Sequence, residues 1–227
     1  MLLAERISAI AFDLDGTLVD SVPDLAAAAN ETLKELGLPQ CSEELVRTWV
    51  GNGARVLMAR ALTHALGRDV TGSQLDDAMP LFMRNYERYL EHYSRLYDGV
   101  RETLNELSAM GYRLAVVTNK PHRFTEPLLQ AFGIDQHFEL VLGGDSLARM
   151  KPDPLPLQHI LEQWSLKPSE LLMVGDSRND ILAAKAAGIT SFGLTYGYNY
   201  GEDIGLCGPD AVCHTFAEIL TRLNAAE

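Results

Sequence analysis

Residues Ile7 to Leu18 read I-S-A-I-A-F-D-L-D-G-T-L, and the rest of the chain is read from them. Ile7 to Phe12 is short and apolar and runs straight into acids and a glycine. Six residues are too few for a membrane span and suit a buried parallel strand. Asp13 and Asp15 then stand just past the strand's carboxyl end, where ligands bind in open α/β sheets. Residues two apart on an extended chain point the same way, so both carboxylates face one site. Gly16 permits a tight turn that brings backbone close to a ligand, and Thr17 offers a hydroxyl. Two adjacent carboxylates repel each other. A hard divalent ion with oxygen ligands relieves this; so does keeping one carboxyl protonated as an acid. The alternative without chemistry is an Asp/Gly turn that caps the next helix.

The chain has 227 residues, 47% of them hydrophobic, enough for one large domain or one domain carrying a smaller insertion. Its formal net charge of −12 argues against nucleic acid or an anionic membrane as a partner. An anionic substrate is still compatible if the site itself is made locally positive. Cys41, Cys207 and Cys213 form no C-x-x-C pair and read as reduced thiols of a cytoplasmic protein. The six histidines lack zinc-like spacing. No signal peptide or membrane-spanning run is read, and the oligomeric expectation is a monomer or small homo-oligomer.

Ser21 and Pro23 mark a helix start, with Leu25, Ala29, Leu33 and Leu36 at helical spacing and Gly37 as its stop. Ser42 reads as the next N-cap, with Leu45, Val46, Trp49 and Val50 on one face. Gly51-Asn52-Gly53 interrupts, and a third helix spans Ala54 to Leu66. A longer helix carries the stripe Leu75, Met79, Phe82, Tyr86, Tyr89 and Tyr93, with Pro80 as a possible kink. No strand is expected between about Val19 and Tyr97. After Asp98-Gly99, helices alternate with strands at Arg113 to Val117, Phe138 to Leu142, Leu171 to Val174, Thr190 to Leu194 and Ala211 to Cys213. Such alternation predicts an α/β fold: a Rossmann-like three-layer core with a parallel sheet and an inserted all-helical cap. The expected boundaries are 1–19 with 98–227 for the core and 20–97 for the cap.

Three further motifs fall after strands. Thr118-Asn119 offers a hydroxyl and backbone N–H groups for phosphate oxygens, or simply starts a helix, with Lys120 and Pro121 following. Lys151 lies in K-P-D-P-L-P-L, where prolines fix the backbone; alone it reads sooner as a solvated surface lysine. Gly175-Asp176-Ser177-Arg178-Asn179-Asp180 puts two acids one helical turn apart.

The sequence D-L-D-G-T-L, followed in order by T-N, K-P and G-D-S-R-N-D, resembles the four motifs of the haloacid dehalogenase-like phosphatases, and the likeness covers essentially the whole chain. It implies Mg²⁺ as cofactor and an aspartyl-phosphate mechanism on a small anionic phosphate ester. Asp13 is then the nucleophile and Asp15 the acid and base. Asp13, Asp176 and the carbonyl of Asp15 become metal ligands, with Asp180 in support. Asp13, Gly16, Thr118, Asn119 and Lys151 contact the phosphoryl group, Thr118 and Lys151 as part of the catalytic set. The second acid, Asp15, favours phosphoryl transfer over dehalogenation, because a halide leaves without a proton.

The cap is expected to choose the ester. Trp49-Val-Gly-Asn-Gly-Ala54 offers N–H groups at Gly51, Asn52 and Gly53 for a small carboxylate, with Arg55 as a nearby cation; a plain helix–helix turn is the alternative. Thr195-Tyr-Gly-Tyr-Asn-Tyr-Gly-Glu202 is an aromatic loop able to wall the site. These stretches, with Asp20 to Leu25, are similar to a bacterial branch of the family that acts on 2-phosphoglycolate. The competing readings are a phosphorylated receiver domain, an idle binding protein on the same fold, and sister enzymes acting on sugar phosphates or pyrophosphate.

Overall fold

The computed structural model describes residues 3–224; residues 1–2 and 225–227 of the expected core lie outside the described residues. Strand β1 (Ala9–Phe12) is followed by the two-residue β2 (Val19–Asp20). Four helices come next: α1 (Val22–Glu35), α2 (Glu43–Arg47), α3 (Ala54–Leu66) and α4 (Gly72–Tyr89). The chain returns through β3 (Arg95–Leu96) and continues as α5 (Val100–Ala109), β4 (Arg113–Val117), α6 (His122–Ala131), β5 (Leu140–Leu142), α7 (Leu155–Trp164), β6 (Leu171–Gly175), α8 (Arg178–Ala187), β7 (Thr190–Leu194), β8 (Ala211–Cys213) and α9 (Glu218–Leu223).

Six strands form one parallel sheet in the order β5-β4-β1-β6-β7-β8. β1 is central, with Ala11 opposite both Ala115 and Met173. Its alternate residues face opposite layers, as the pleat requires. Ile10 and Phe12 join Leu114, Val116, Leu172, Val174 and Phe192 in one core. The small Ala9 and Ala11 join Ala115, Leu171 and Met173 under α7 and α8, with Leu157, Ile160, Ala183 and Ala184. Burial on both faces explains why these strands read as unbroken apolar runs.

The helical cap leaves and rejoins the sheet side by side. β2 and β3 pair antiparallel, Val19 with Leu96 and Asp20 with Arg95. This corrects the expectation of no strand between Val19 and Tyr97: two residues carry no periodic signal, and only the meeting of distant segments makes them a ribbon. Within the cap, α4 uses a capping box at Thr71 and Gln74 and runs through Pro80. Phe82 and Tyr86 lie on its buried face, whereas Tyr93 falls beyond the helix and is exposed. α2 stops at Arg47, so Trp49 and Val50 belong to the following turn. The three cysteines are free, and no helix among the described residues is long and apolar enough to cross a membrane.

Candidate active site

Four neighbouring strands, β5-β4-β1-β6, deliver the motif residues at their carboxyl ends. Asp13 follows β1. Its Oδ1 accepts from the Leu14 N–H at 2.7 Å and lies 3.0 Å from Lys151 Nζ. Lys151, 2% exposed and joined to Pro152 by a cis peptide, also donates to Asp180 Oδ1 at 2.6 Å and to the Val117 carbonyl. Asp180 in turn accepts from the N–H and hydroxyl of Ser177 at the start of α8. Asp176 follows β6 and accepts from the Thr17 hydroxyl at 2.7 Å and the Tyr198 N–H at 2.8 Å. Asp13, Asp176 and Asp180 offer carboxylate oxygens that all lie within 4.8 Å of one another.

So dense a set of buried acids is electrostatically frustrated. Burial pushes the Asp13 carboxyl up to about 7 from its ordinary 3.8; Lys151 opposes this, and Asp180 and Asp15 reinforce it. Burial, then Asp13 and Asp180, push Asp176 up in the same direction. Lys151 is penalised by burial, yet Asp13 and Asp180 hold its ammonium above the ordinary lysine range. One cation against three carboxylates leaves net negative charge, and oxygen-only ligands this close suit a hard divalent ion.

The carboxylate of Asp15 is turned away from that cluster. It accepts from the Ser21 hydroxyl at 2.6 Å and from Lys120 Nζ at 3.0 Å. Lys120 reaches across to the Tyr86 hydroxyl of α4 and lies 4.5 Å from that ring's centre. Burial, then Asp15 and Asp24, keep the Tyr86 phenol neutral well above its ordinary range. A cavity of about 30 Å³ lies here, floored by Asp13, Asp15, Thr118 and Asn119 and roofed by Val50, Gly51, Gly53, Ala54 and Leu57. That is about twice the space one water needs, so cap and core leave only a small chamber between them.

Several expected contacts are redirected. The Gly16 N–H donates to the Val19 carbonyl and is unavailable to phosphate. Gly16 matters because at φ +89° a Cβ there would stand 2.3 Å from Asp176 Oδ2; the residue lets the acid approach. The side-chain amide of Asn119 donates to the carbonyls of Gly51 and Lys151, leaving its backbone rather than its side chain for a phosphoryl oxygen. The Gly51 carbonyl is doubly held, since Asn179 Nδ2 also donates to it at 2.9 Å. The Gly51-Asn52-Gly53 turn is thus gripped by its carbonyl, and Asn52 does not line the chamber. Arg55 does not line it either: it is exposed and paired with Asp76 at 2.6 Å. The aromatic loop braces the site from behind. Tyr198 holds Asp176 through its N–H, while its hydroxyl donates to Asp20 and accepts from the Ser21 and Val22 N–H groups.

Residues 10–194 match the haloacid dehalogenase-like hydrolase family. The chain belongs to that family. A phosphoglycolate phosphatase of Colwellia psychrerythraea is 50% identical over 218 residues, covering 94% of this chain and 95% of the relative. One from Haemophilus influenzae is 51% identical, covering 94% and 97%. Among solved structures, a predicted phosphoglycolate phosphatase of Haemophilus somnus superposes with a TM-score of 0.92 at 48% identity, covering 95% of this chain and 97% of that one. CbbY of Rhodobacter sphaeroides, solved with phosphate, superposes at 0.80 and 27% identity, covering 96% and 100%. This haloacid dehalogenase-like hydrolase therefore keeps all four motif positions at one sheet edge. Lys120, Ser21, Tyr86 and Asn179 were not read as site residues from the sequence. Of these, Lys120 had a usable signal: it directly follows Thr118-Asn119 at a strand end.

Proposed function

We propose that this hydrolase converts 2-phosphoglycolate to glycolate and phosphate through an aspartyl-phosphate on Asp13, with Mg²⁺ as cofactor. The observation that carries the reading is the chamber lined by both Asp13 and Asp15, in a chain about half identical to phosphoglycolate phosphatases over nearly its whole length. The proposed domain boundaries are 1–19 with 98–227 for the core and 20–97 for the cap.

Asp13, Asp176 and the Asp15 carbonyl would hold the metal, with Asp180 behind them anchoring Lys151. When bound, Mg²⁺ supplies positive charge that offsets the phosphoryl oxygens and the clustered acids. An Asp13 carboxylate oxygen attacks phosphorus and the bond to the ester oxygen breaks. Asp15, steered by Ser21 and Lys120, gives that oxygen its proton, and glycolate leaves. Asp15 then takes a proton from water as the water oxygen attacks phosphorus, which releases phosphate and restores Asp13. Lys151, held against Asp13, sets positive charge beside the phosphoryl group, and the Thr118 hydroxyl and nearby backbone N–H groups steady its oxygens.

The test is phosphate release with Mg²⁺ from 2-phosphoglycolate, N-acetylmuramate 6-phosphate, glucose 1-phosphate, pyrophosphate and a nucleotide monophosphate. The highest kcat/KM is expected for 2-phosphoglycolate, with loss of turnover in EDTA and in Asp13→Asn. Preference for another ester would overturn the substrate assignment, and full activity in freshly prepared Asp13→Asn would overturn the mechanism.

A further inference from the structure

A two-carbon ester acid bears negative charge at both ends. The phosphoryl end has Lys151 and the expected metal. The carboxylate end, once closed in a chamber walled by Leu25, Val50, Ala54 and Leu57, also needs a partner, because a desolvated carboxylate without one is strongly unfavourable. The cap arginine expected to serve lies outside, engaged with Asp76. Arg47 is engaged with Asp20 and Glu43 and Arg60 donates to the Trp49 carbonyl; neither lines the chamber.

We propose that Lys120 reads the substrate's carboxylate and so sets the specificity of the site, an inference that rests on the 2-phosphoglycolate reading above. Among the described residues, Lys120 is the one cation that lines the chamber, and its side chain is 1% exposed. An ammonium has three donors. Here both oxygens of the Asp15 carboxylate and the Tyr86 hydroxyl receive them; the contact with Asp15 Oδ2, at 3.4 Å, is the longest and is the one that an incoming anion would replace. Lys151 has no such long contact: the Val117 carbonyl, Asp13 and Asp180 take all three of its donors. Lys120 also lines the same chamber as Asp13 and Asp15 and reaches from the floor to Tyr86 of the cap. Its neighbour Thr118 is on the phosphoryl side of the floor, and Tyr86 comes from the cap roof. The ammonium thus touches the acid that protonates the leaving oxygen and, by this inference, the carboxylate attached to that leaving group. An ester with no carboxylate would offer Lys120 no charged acceptor in exchange for that contact.

The experiment compares kcat/KM for 2-phosphoglycolate and for ethyl phosphate, in which a methyl group replaces the carboxylate. It uses the wild-type enzyme, Lys120→Met and Tyr86→Phe, all with Mg²⁺. Wild type is expected to prefer 2-phosphoglycolate. In Lys120→Met the ratio of the two constants is expected to fall by about 30-fold or more, the scale for truncating one partner of a buried charge pair. Tyr86→Phe keeps the ring and removes only the oxygen facing Lys120. It is expected to lower the same ratio about threefold or more, and it carries the test if Lys120→Met does not fold. Equal losses on both esters would show that Lys120 acts only by orienting Asp15, and would overturn the inference while the substrate assignment stands. A wild-type enzyme with no preference between the esters would overturn both.

Discussion

Lys151→Met puts the electrostatics of the site to a direct test. The substitution keeps most of the side-chain volume and removes one charge that touches both Asp13 at 3.0 Å and Asp180 at 2.6 Å, with Asp176 in the same 4.8 Å cluster. Removing one partner of a buried ion pair destabilises a protein by about 3–5 kcal/mol, because an uncompensated charge stays behind. Two carboxylates lose their partner here, so the upper end of that range is expected at pH 8 in EDTA, against a typical domain stability of about 5–15 kcal/mol. The loss should shrink in two ways. Mg²⁺ at pH 8 supplies replacement charge. Acid supplies protons: Asp13 already sits near 7 with the lysine present, and without it the carboxyl is protonated still more readily, so at pH 5 the charge orphaned on Asp13 is largely gone. Urea unfolding of wild type and variant under the three conditions measures each difference. A loss under about 1 kcal/mol at pH 8 in EDTA, or an equal loss at pH 5, would refute the picture of a lysine that neutralises buried acids.

Other outcomes follow from the same geometry. The folded-state value of Asp13 lies above its ordinary 3.8, so between there and about 7 the folded protein holds more protons than the unfolded chain. Metal-free wild type should therefore lose stability as pH rises through that interval, at up to about 1.4 kcal/mol per pH unit for this group, and regain it with Mg²⁺; melting temperatures against pH, with and without the ion, check the sign. Gly197→Ala would place a Cβ 2.2 Å from Asp176 Cβ, so Mg²⁺ affinity should fall about 10- to 100-fold, read by calorimetric titration. Asn179→Ala removes one of two donors to the Gly51 carbonyl; with a hydrogen bond worth about 1 kcal/mol, KM should rise about fivefold and kcat change little. Tyr198→Phe strips the hydroxyl shared by Asp20, Ser21 and Val22 and should lower stability by about 1–3 kcal/mol in chemical denaturation.

The chemistry was legible because it sits in short contiguous words at strand ends. D-L-D-G-T-L after an apolar run fixed Asp13 and Asp15 at a carboxyl edge, and the structure adds T-N, K-P and G-D-S-R-N-D at the ends of adjoining strands. The helices were legible from periodicity and caps, down to Ala54–Leu66. What went astray was of another kind. Arg55 is beside the cap turn in sequence, yet α3 points it outward to Asp76. Gly16 stands where a phosphate ligand was expected, but its N–H is used by Val19; the side-chain amide of Asn119 is used by Gly51 and Lys151, which leaves that residue's backbone N–H for phosphate.

Local sequence thus determined which residue types reach the sheet edge, because strand length, apolar runs and turn residues act over a few neighbours. Only the tertiary structure decided what each donor faces. Lys120 meets Asp15 across 105 positions, and Asn179 meets Gly51 across 128. Those distances in sequence are closed by the packing of the cap on the sheet, and a buried polar group commits to the partner that this packing leaves within hydrogen-bonding reach.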